Sequence, residues 1–262
     1  MNKKKNNYGK CNPRDIGEKY MRKVQATSIF DPVLCELAYK WFSRDNDKVI
    51  DPFAGGSVRG IVASICGRYY TGIDLSEPQI EHNISQFKDI CSKYSNKLNP
   101  VQWVVDDSAV YTSEHLTEKY NFMFTCPPYY NLEVYSDKPN DLSNMGSYEE
   151  FLTVYKTILT NCVNMLEDDS FACIVVGNVR GKNGGYYDFA GDTVRIMQDA
   201  GTIYYNEMIL VNIGGTLPIR APLSFNASRK VGKMHQNVLV FYKGNPSNIK
   251  NKFGSFEGDD DE

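Results

Sequence analysis

The segment Asn121-Phe-Met-Phe-Thr-Cys-Pro-Pro-Tyr-Tyr130 places a thiol, two consecutive prolines and an aromatic ring directly behind an apolar run. Proline has no N–H to give a strand ladder, so Pro127 and Pro128 must end whatever strand precedes them. They also impose a stiff, extended turn whose carbonyl oxygens point in set directions. With Tyr129 next in line, the turn suits a flat ring that carries an amino group. Carbonyls would accept the amine hydrogens while the tyrosine stacked on the ring. A strand-terminating turn with a packing tyrosine has the same composition, so this segment alone leaves both readings open.

A second segment, Asp51-Pro-Phe-Ala-Gly-Gly-Ser57, joins an acid to a glycine turn. Gly55 and Gly56 let bare backbone approach a ligand that side chains would hold away. Asp74 follows Gly55 by nineteen residues, an interval at which a carboxylate can accept both hydroxyls of a ribose. Asp107 follows a further apolar run and could accept from an adenine amino group. No full Gly-x-Gly-x-x-Gly and no Gly-Lys-Ser/Thr occurs, which disfavours a dinucleotide or a nucleoside triphosphate. The set points to a nucleoside-containing ligand, although many α/β proteins carry a glycine turn for packing alone.

These residues need elements to hold them. Lys48–Asp51, Tyr69–Asp74, Val101–Asp106, Tyr120–Thr125, Phe171–Val176, Tyr204–Val211 and Asn237–Tyr242 read as strands. Val58, Ile61, Val62 and Ile65 recur at helical spacing, with Gly67 as a stop. Ser76-Glu-Pro-Gln79 opens another helix, with Ile80, Ile84, Phe87 and Ile90 as its stripe. Ser147-Tyr-Glu-Glu150 caps the clearest amphipathic helix, which turns Phe151, Val154, Tyr155, Ile158, Leu159, Cys162, Val163 and Leu166 inward. Leu34, Leu37, Ala38 and Trp41 suggest a leading helix. Strands alternating with helices predict an α/β architecture, doubly wound around a mostly parallel sheet. Ligands of such sheets bind beyond the carboxyl ends of the strands. Loops 51–57, 74–78, 106–109 and 125–131 all lie there.

Taken together, the two segments resemble the motifs of the amino-group DNA methyltransferases. Asp51-Pro-Phe-Ala-Gly-Gly-Ser57 is similar to their cofactor motif Asp-Pro-Phe-x-Gly-x-Gly, and Thr125-Cys-Pro-Pro-Tyr129 to their catalytic Asp/Asn/Ser-Pro-Pro-Tyr/Phe. Thr27-Ser-Ile-Phe-Asp-Pro-Val-Leu34 resembles the segment that in many members touches the methionine part of the cofactor. The resemblance runs from about residue 27 to 243. It implies a Rossmann-like class I fold with a seven-stranded sheet, S-adenosylmethionine as donor, and transfer to adenine N6 or cytosine N4 of DNA. The implied cofactor site comprises Thr27, Ser28, Phe30, Asp51, Pro52, Phe53, Gly55, Ser57, Asp74, Leu75, Asp107 and Ser108. The implied catalytic turn is Cys126, Pro127, Pro128 and Tyr129, meeting a base flipped out of the duplex.

Two departures stand out. Ser57 replaces the last glycine of the cofactor motif, and Cys126 stands where the family has Asp, Asn or Ser. A thiol accepts hydrogen bonds weakly, which leaves more of amine recognition to the Pro127 carbonyl. A thiolate could instead attack carbon 6 of a pyrimidine and permit methylation at carbon 5. In the carbon-5 family, however, the nucleophile follows the prolines, whereas here it precedes them. Methylation of RNA or a free nucleotide, and a non-catalytic DNA-binding protein that keeps the fold, are the remaining alternatives.

The 262 residues are 42% hydrophobic and 23% charged, an ordinary globular mix, with a net charge of −3. No apolar run approaches the roughly 20 residues that cross a bilayer, and no secretion signal is visible. Seven scattered cysteines without a Cys-x-x-Cys pair argue against disulfides and a thiolate zinc site. The reading is therefore a cytoplasmic, nucleoid-associated protein with DNA as partner, room for a homodimer, and no membrane or metal. Residues 1–26 form a basic arm, 27–245 the catalytic domain, and 246–262 an acidic, disordered tail. Recognition falls to loops 131–147 and 212–236, the second carrying Arg220, Arg229, Lys230, Lys233 and His235 for phosphates and base edges. A solvated basic loop would carry the same residues.

Overall fold

All seven apolar runs become strands of one sheet. The computed structural model describes residues 30–93, 98–130, 136–212 and 217–255. In chain order the strands are β1 (Lys48–Asp51), β2 (Tyr69–Asp74), β3 (Val101–Val105), β4 (Tyr120–Thr125), β5 (Leu166–Val176), β6 (Val179–Arg180), β7 (Tyr186–Tyr187), β8 (Ile203–Val211) and β9 (His235–Lys243). The main sheet runs β3-β2-β1-β4-β5-β9-β8, while β6 and β7 form a separate hairpin. Pairings from β3 through β5 are parallel, and β9 is antiparallel to both β5 and β8.

Helices cover both faces. On one lie α1 (Pro32–Phe42), α2 (Val58–Ile65) and α3 (Glu77–Cys91); on the other, α4 (Ser108–Glu114), α5 (Tyr148–Met165) and α6 (Phe189–Asp199). β4 shows the two-residue alternation that separates the faces. Phe122 and Phe124 meet the ring of Tyr39 on α1 edge-on at 6.0 and 5.5 Å. Met123 points the other way, into a core with Ile50, Ile174, Phe151, Tyr155 and Leu159. Helix starts follow local chemistry. Asp31 accepts from the N–H groups of Val33 and Leu34 at 2.8 and 3.2 Å ahead of Pro32, and Ser147 accepts from Glu150 N at 3.1 Å.

Several inward faces differ from the periodicity. α2 buries Arg59, Gly60, Ile61, Ala63 and Ser64, leaving Ile65 41% exposed. The helix presses so near the sheet that a Cβ on Gly60 would stand 2.7 Å from the Trp103 ring, so small residues and an ion-paired arginine occupy the contact. On α1, Cys35 and Tyr39 point inward and Trp41 is 42% exposed. α3 buries Ile80 and Asn83 rather than the full isoleucine stripe.

The acidic tail needs a correction as well. Residues Pro246–Asn248 form a 3-10 turn and Ile249–Phe253 a short helix. Asn245 N and Asn248 Nδ2 donate to Asp169 at 3.0 and 2.8 Å, and Phe253 packs on Phe171 at 5.2 Å. Residues 256–262 and the basic arm 1–26 lie outside the described residues. No helix among the described residues is long and apolar enough to cross a membrane.

Candidate active site

Strand order reverses between β1 and β4: the chain leaves β1 towards β2 and β3, and leaves β4 towards β5. A crevice opens at the carboxyl ends of such a strand pair. Asp51 ends β1 there, wholly buried, and four donors converge on its carboxylate. Oδ1 accepts from Phe53 N at 3.1 Å and Thr125 Oγ1 at 2.6 Å. Oδ2 accepts from Arg59 Nε at 2.6 Å and the Tyr70 hydroxyl at 2.7 Å. Thr125 immediately precedes Cys126, so one carboxylate ties the glycine turn to the Pro-Pro turn. Asp51 therefore acts on the site by positioning both turns, its own oxygens being occupied by protein.

Arg59 completes this brace and was not among the sequence candidates. Its Nη2 also donates to the carbonyls of Phe53 and Ala54, at 2.6 and 3.0 Å. Burial disfavours its charge, but the adjacent Asp51 carboxylate, helped by Tyr70 and Cys126, more than offsets that and holds the guanidinium above its ordinary range.

Above the brace the turn is open. Gly55 has φ +50°, and a Cβ on it or on Gly56 would meet nothing within 4 Å. Gly55 N donates to Asp74 Oδ2 at 2.9 Å and Ser76 N to Oδ1 at 2.8 Å, so each oxygen keeps acceptor capacity. Burial raises the Asp74 carboxyl above the ordinary aspartate range, while these N–H groups pull it back. Asp107 caps α4, its Oδ1 accepting from Ala109 N and Oδ2 from Asn140 Nδ2, both at 2.8 Å. Phe53 is half-buried, its ring 6.0 Å from that of Tyr155. Ser57 and Ser108 use their hydroxyls on Gln86 and the Pro52 carbonyl, so both fasten the turns.

Lys138 and Asn140 reach this edge from the following loop. Lys138 Nζ donates to the carbonyl of Leu75, and Asn140 engages Asp107 as described, latching the loop across the ends of β2 and β3. Neither pairing leaves a signal in the sequence, since each joins residues far apart in the chain. Residues 131–135 lie outside the described residues.

On the acceptor side, Pro127 is buried and Tyr129 half-buried. Tyr130 takes φ +50°, a left-handed conformation unusual for a bulky residue. Its ring is held at 5.6 Å from each of Tyr148, Phe151 and Tyr187. The Tyr129 hydroxyl accepts from Gln236 Nε2 at 2.6 Å and lies 3.9 Å from Cys126 Sγ. Its ring meets Phe189 edge-on at 6.0 Å. Gly177 faces that ring, a Cβ on it standing 3.8 Å away in ordinary contact. Burial first, then Cys126, pushes the phenol far above its ordinary range, which keeps Tyr129 neutral.

The long loop 212–236 contains a helix, α7 (Leu217–Ser228), which buries none of its side chains and so lacks an apolar stripe to read. Arg229, Lys233 and His235 come together around a cavity of about 390 Å³, joined by Arg180 from the β6–β7 hairpin. Arg220 is exposed on α7 away from that lining, and Lys230 packs near Gly184. Thr27 and Ser28 lie outside the described residues, and Phe30 just precedes the compact unit Asp31–Glu262.

No sequence-family model matches the chain, and no curated protein sequence does. Solved structures do share its fold. TrmN from Thermus thermophilus superposes with a TM-score of 0.52 at 13% identity, over 83% of this chain and 51% of that one. This chain thus spans about half the length of TrmN. A protein described as a putative rRNA-methylase from Clostridium thermocellum gives 0.52 at 10% identity, over 82% and 99%. Magnesium protoporphyrin IX methyltransferase (ChlM) from Synechocystis PCC 6803 with bound SAH gives 0.51 at 12%, over 90% and 89%. The architecture is the Rossmann-like fold of class I methyltransferases.

Proposed function

We propose that this chain transfers a methyl group from S-adenosylmethionine to the exocyclic amino group of a DNA base, adenine N6 or cytosine N4. One observation carries the reading: Asp51 hydrogen-bonds Phe53 N in the glycine turn and Thr125 beside the Pro-Pro turn, bringing both to one crevice. Donor and acceptor turns must open into a shared space for a methyl to pass between them. The class I fold and the SAH bound by ChlM support the choice of donor.

The residues present fit that donor. The space over Gly55 and Gly56 admits a ligand against bare backbone, and the Asp74 oxygens can still accept ribose hydroxyls. Asp107 would read the adenine amine, once Asn140 shares or yields its oxygen. When bound, S-adenosylmethionine supplies a methyl activated by a sulfonium. The protein's own part is alignment. The Pro127 carbonyl and Cys126 would accept hydrogen bonds from the amine as its nitrogen bonds to the methyl, the methyl–sulfur bond breaks and the surplus amine proton is released to water, while Tyr129 supports the ring. Because Gln236 fixes the Tyr129 hydroxyl, the ring presents one orientation to an incoming base. No covalent enzyme intermediate is needed.

Incubation with tritiated donor and either duplex DNA or RNA, followed by nucleoside mass spectrometry, tests the proposal. N6-methyladenine or N4-methylcytosine is expected. 5-Methylcytosine would replace it with thiolate chemistry at Cys126, label confined to RNA would change the substrate, and donor binding without any transfer would mark a non-catalytic binder.

A further inference from the structure

We infer that the cavity between the β6–β7 hairpin and residues 229–235 is a phosphodiester-binding site for the DNA strand beside the target base, with Arg180 as its main contact. This rests on the DNA reading above. The cavity, about 390 Å³, is large enough for part of a nucleotide rather than a lone ion. Arg180, Arg229, Lys233 and His235 line it together with Asn178 and Tyr186, and no acidic side chain is among the described lining residues. Such a wall attracts an anion, and a guanidinium matches phosphate oxygens in pairs.

Arg180 is held ready for that role. Its Nη1 donates to the Gly184 carbonyl at 2.9 Å, and its guanidinium lies 4.0 Å over the ring of Tyr186. One donor and one face of the fork are thereby fixed, which lowers the entropy lost on binding. The exposed ring of Tyr186 adds a platform on which a neighbouring base can stack. The hairpin is itself anchored to the acceptor turn: Tyr187 stacks on Tyr148 at 4.3 Å, and Tyr130 packs edge-on against Tyr187.

Strand β9 and the link between β5 and β6 both lead from the cavity to Tyr129. Asn178 directly follows Gly177, which faces the Tyr129 ring, and His235 directly precedes Gln236, which holds its hydroxyl. A strand advances about 3.3 Å per residue, so the cavity lies within a nucleotide's reach of Tyr129. Burial holds the Lys233 ammonium below the ordinary lysine range, and an anion arriving in the cavity would reverse that.

The test is fluorescence anisotropy of a labelled DNA duplex and, in parallel, a labelled RNA across a salt series, comparing the wild type with Arg180→Ala and Lys233→Ala. Each variant is expected to bind about tenfold more weakly and to lower the log-affinity against log-salt slope by about one. Unchanged melting temperatures separate lost contacts from lost structure; if Arg180→Ala does not fold, Lys233→Ala decides. Wild-type methylation of DNA with unaltered affinity and slope in the folded variants would overturn the phosphate site and leave the proposed function standing. A wild type that binds the donor but neither binds nor methylates nucleic acid would overturn both. Loss confined to an RNA ligand would keep the phosphate site and move the substrate away from DNA.

Discussion

The carboxyl of Asp74 is raised by burial and steadied by the N–H groups of Ser76 and Gly55. Only its ionised form accepts two hydroxyls, so donor affinity should fall as pH drops through that raised range, earlier than a surface aspartate would impose. For folding the sign reverses. The native state holds this proton more tightly than the unfolded chain, so its contribution to stability declines as pH rises past the ordinary aspartate value. Asp74→Ala should weaken donor binding in calorimetry by about 1–3 kcal/mol; an unaltered affinity would remove Asp74 from the site. Gly55→Ala adds a methyl at φ +50° with nothing of the protein in its way. The strain of about 1–2 kcal/mol should be visible in melting, with a larger loss in donor affinity because the methyl enters the ligand's space. On the acceptor side, Tyr129→Ala should depress turnover far more than donor affinity. Cys126→Ser should keep activity, since the thiol lies beside the amine; complete loss would identify sulfur as a nucleophile.

Within the elements, the brace formed by α2, β1 and β2 sets how firmly the site is held. Arg59→Met leaves the buried Asp51 carboxylate without its ion partner and should cost about 3–5 kcal/mol in denaturant unfolding. A Cβ on Gly72 would stand 2.6 Å from the Tyr70 ring and 2.9 Å from Ala54 Cβ. Gly72→Ala should therefore cost about 1–3 kcal/mol through overpacking, and displacing Tyr70 would loosen Asp51 as well. The strands were legible because β1, β4 and β5 are covered on both sides, which demands uninterrupted apolar runs such as Phe171–Val176. Helix faces were less so. Periodicity located α2 but found its inward face only in part: Ile61 is buried, yet the rest of that face is Gly60, Ala63, Ser64 and a paired Arg59, and Ile65 is exposed. α4 is only two turns long and α7 buries nothing, so neither offered a stripe, while α6 buries Phe189, Ile196 and Met197 at helical spacing with Thr193 among them. Of the site, the residues at strand ends could be named from their motifs. Gln236, Asn140 and Lys138 could not, because tertiary contact alone gives them a role.

For the molecule as a whole, the segment after β9 belongs to the folded body. Asp169, at φ +60°, accepts from Asn245, Asn248 and Tyr242, and Phe253 covers Phe171. Truncation after Gly244 should lower the melting temperature, each kcal/mol lost amounting to roughly 2–4 °C in a chain of this size. An unshifted melt would show that the segment merely rests on the surface. Asp51 has a broader consequence. A single carboxylate stands at the junction of the donor and acceptor halves, so a ligand in one half is felt in the other. Occupying the donor side fixes Phe53 and, through the shared oxygen, the hydroxyl of Thr125. Free energies for the two ligands should then fail to add, and cofactor and DNA should raise each other's affinity by the same factor. Order of arrival would become a property of one side chain.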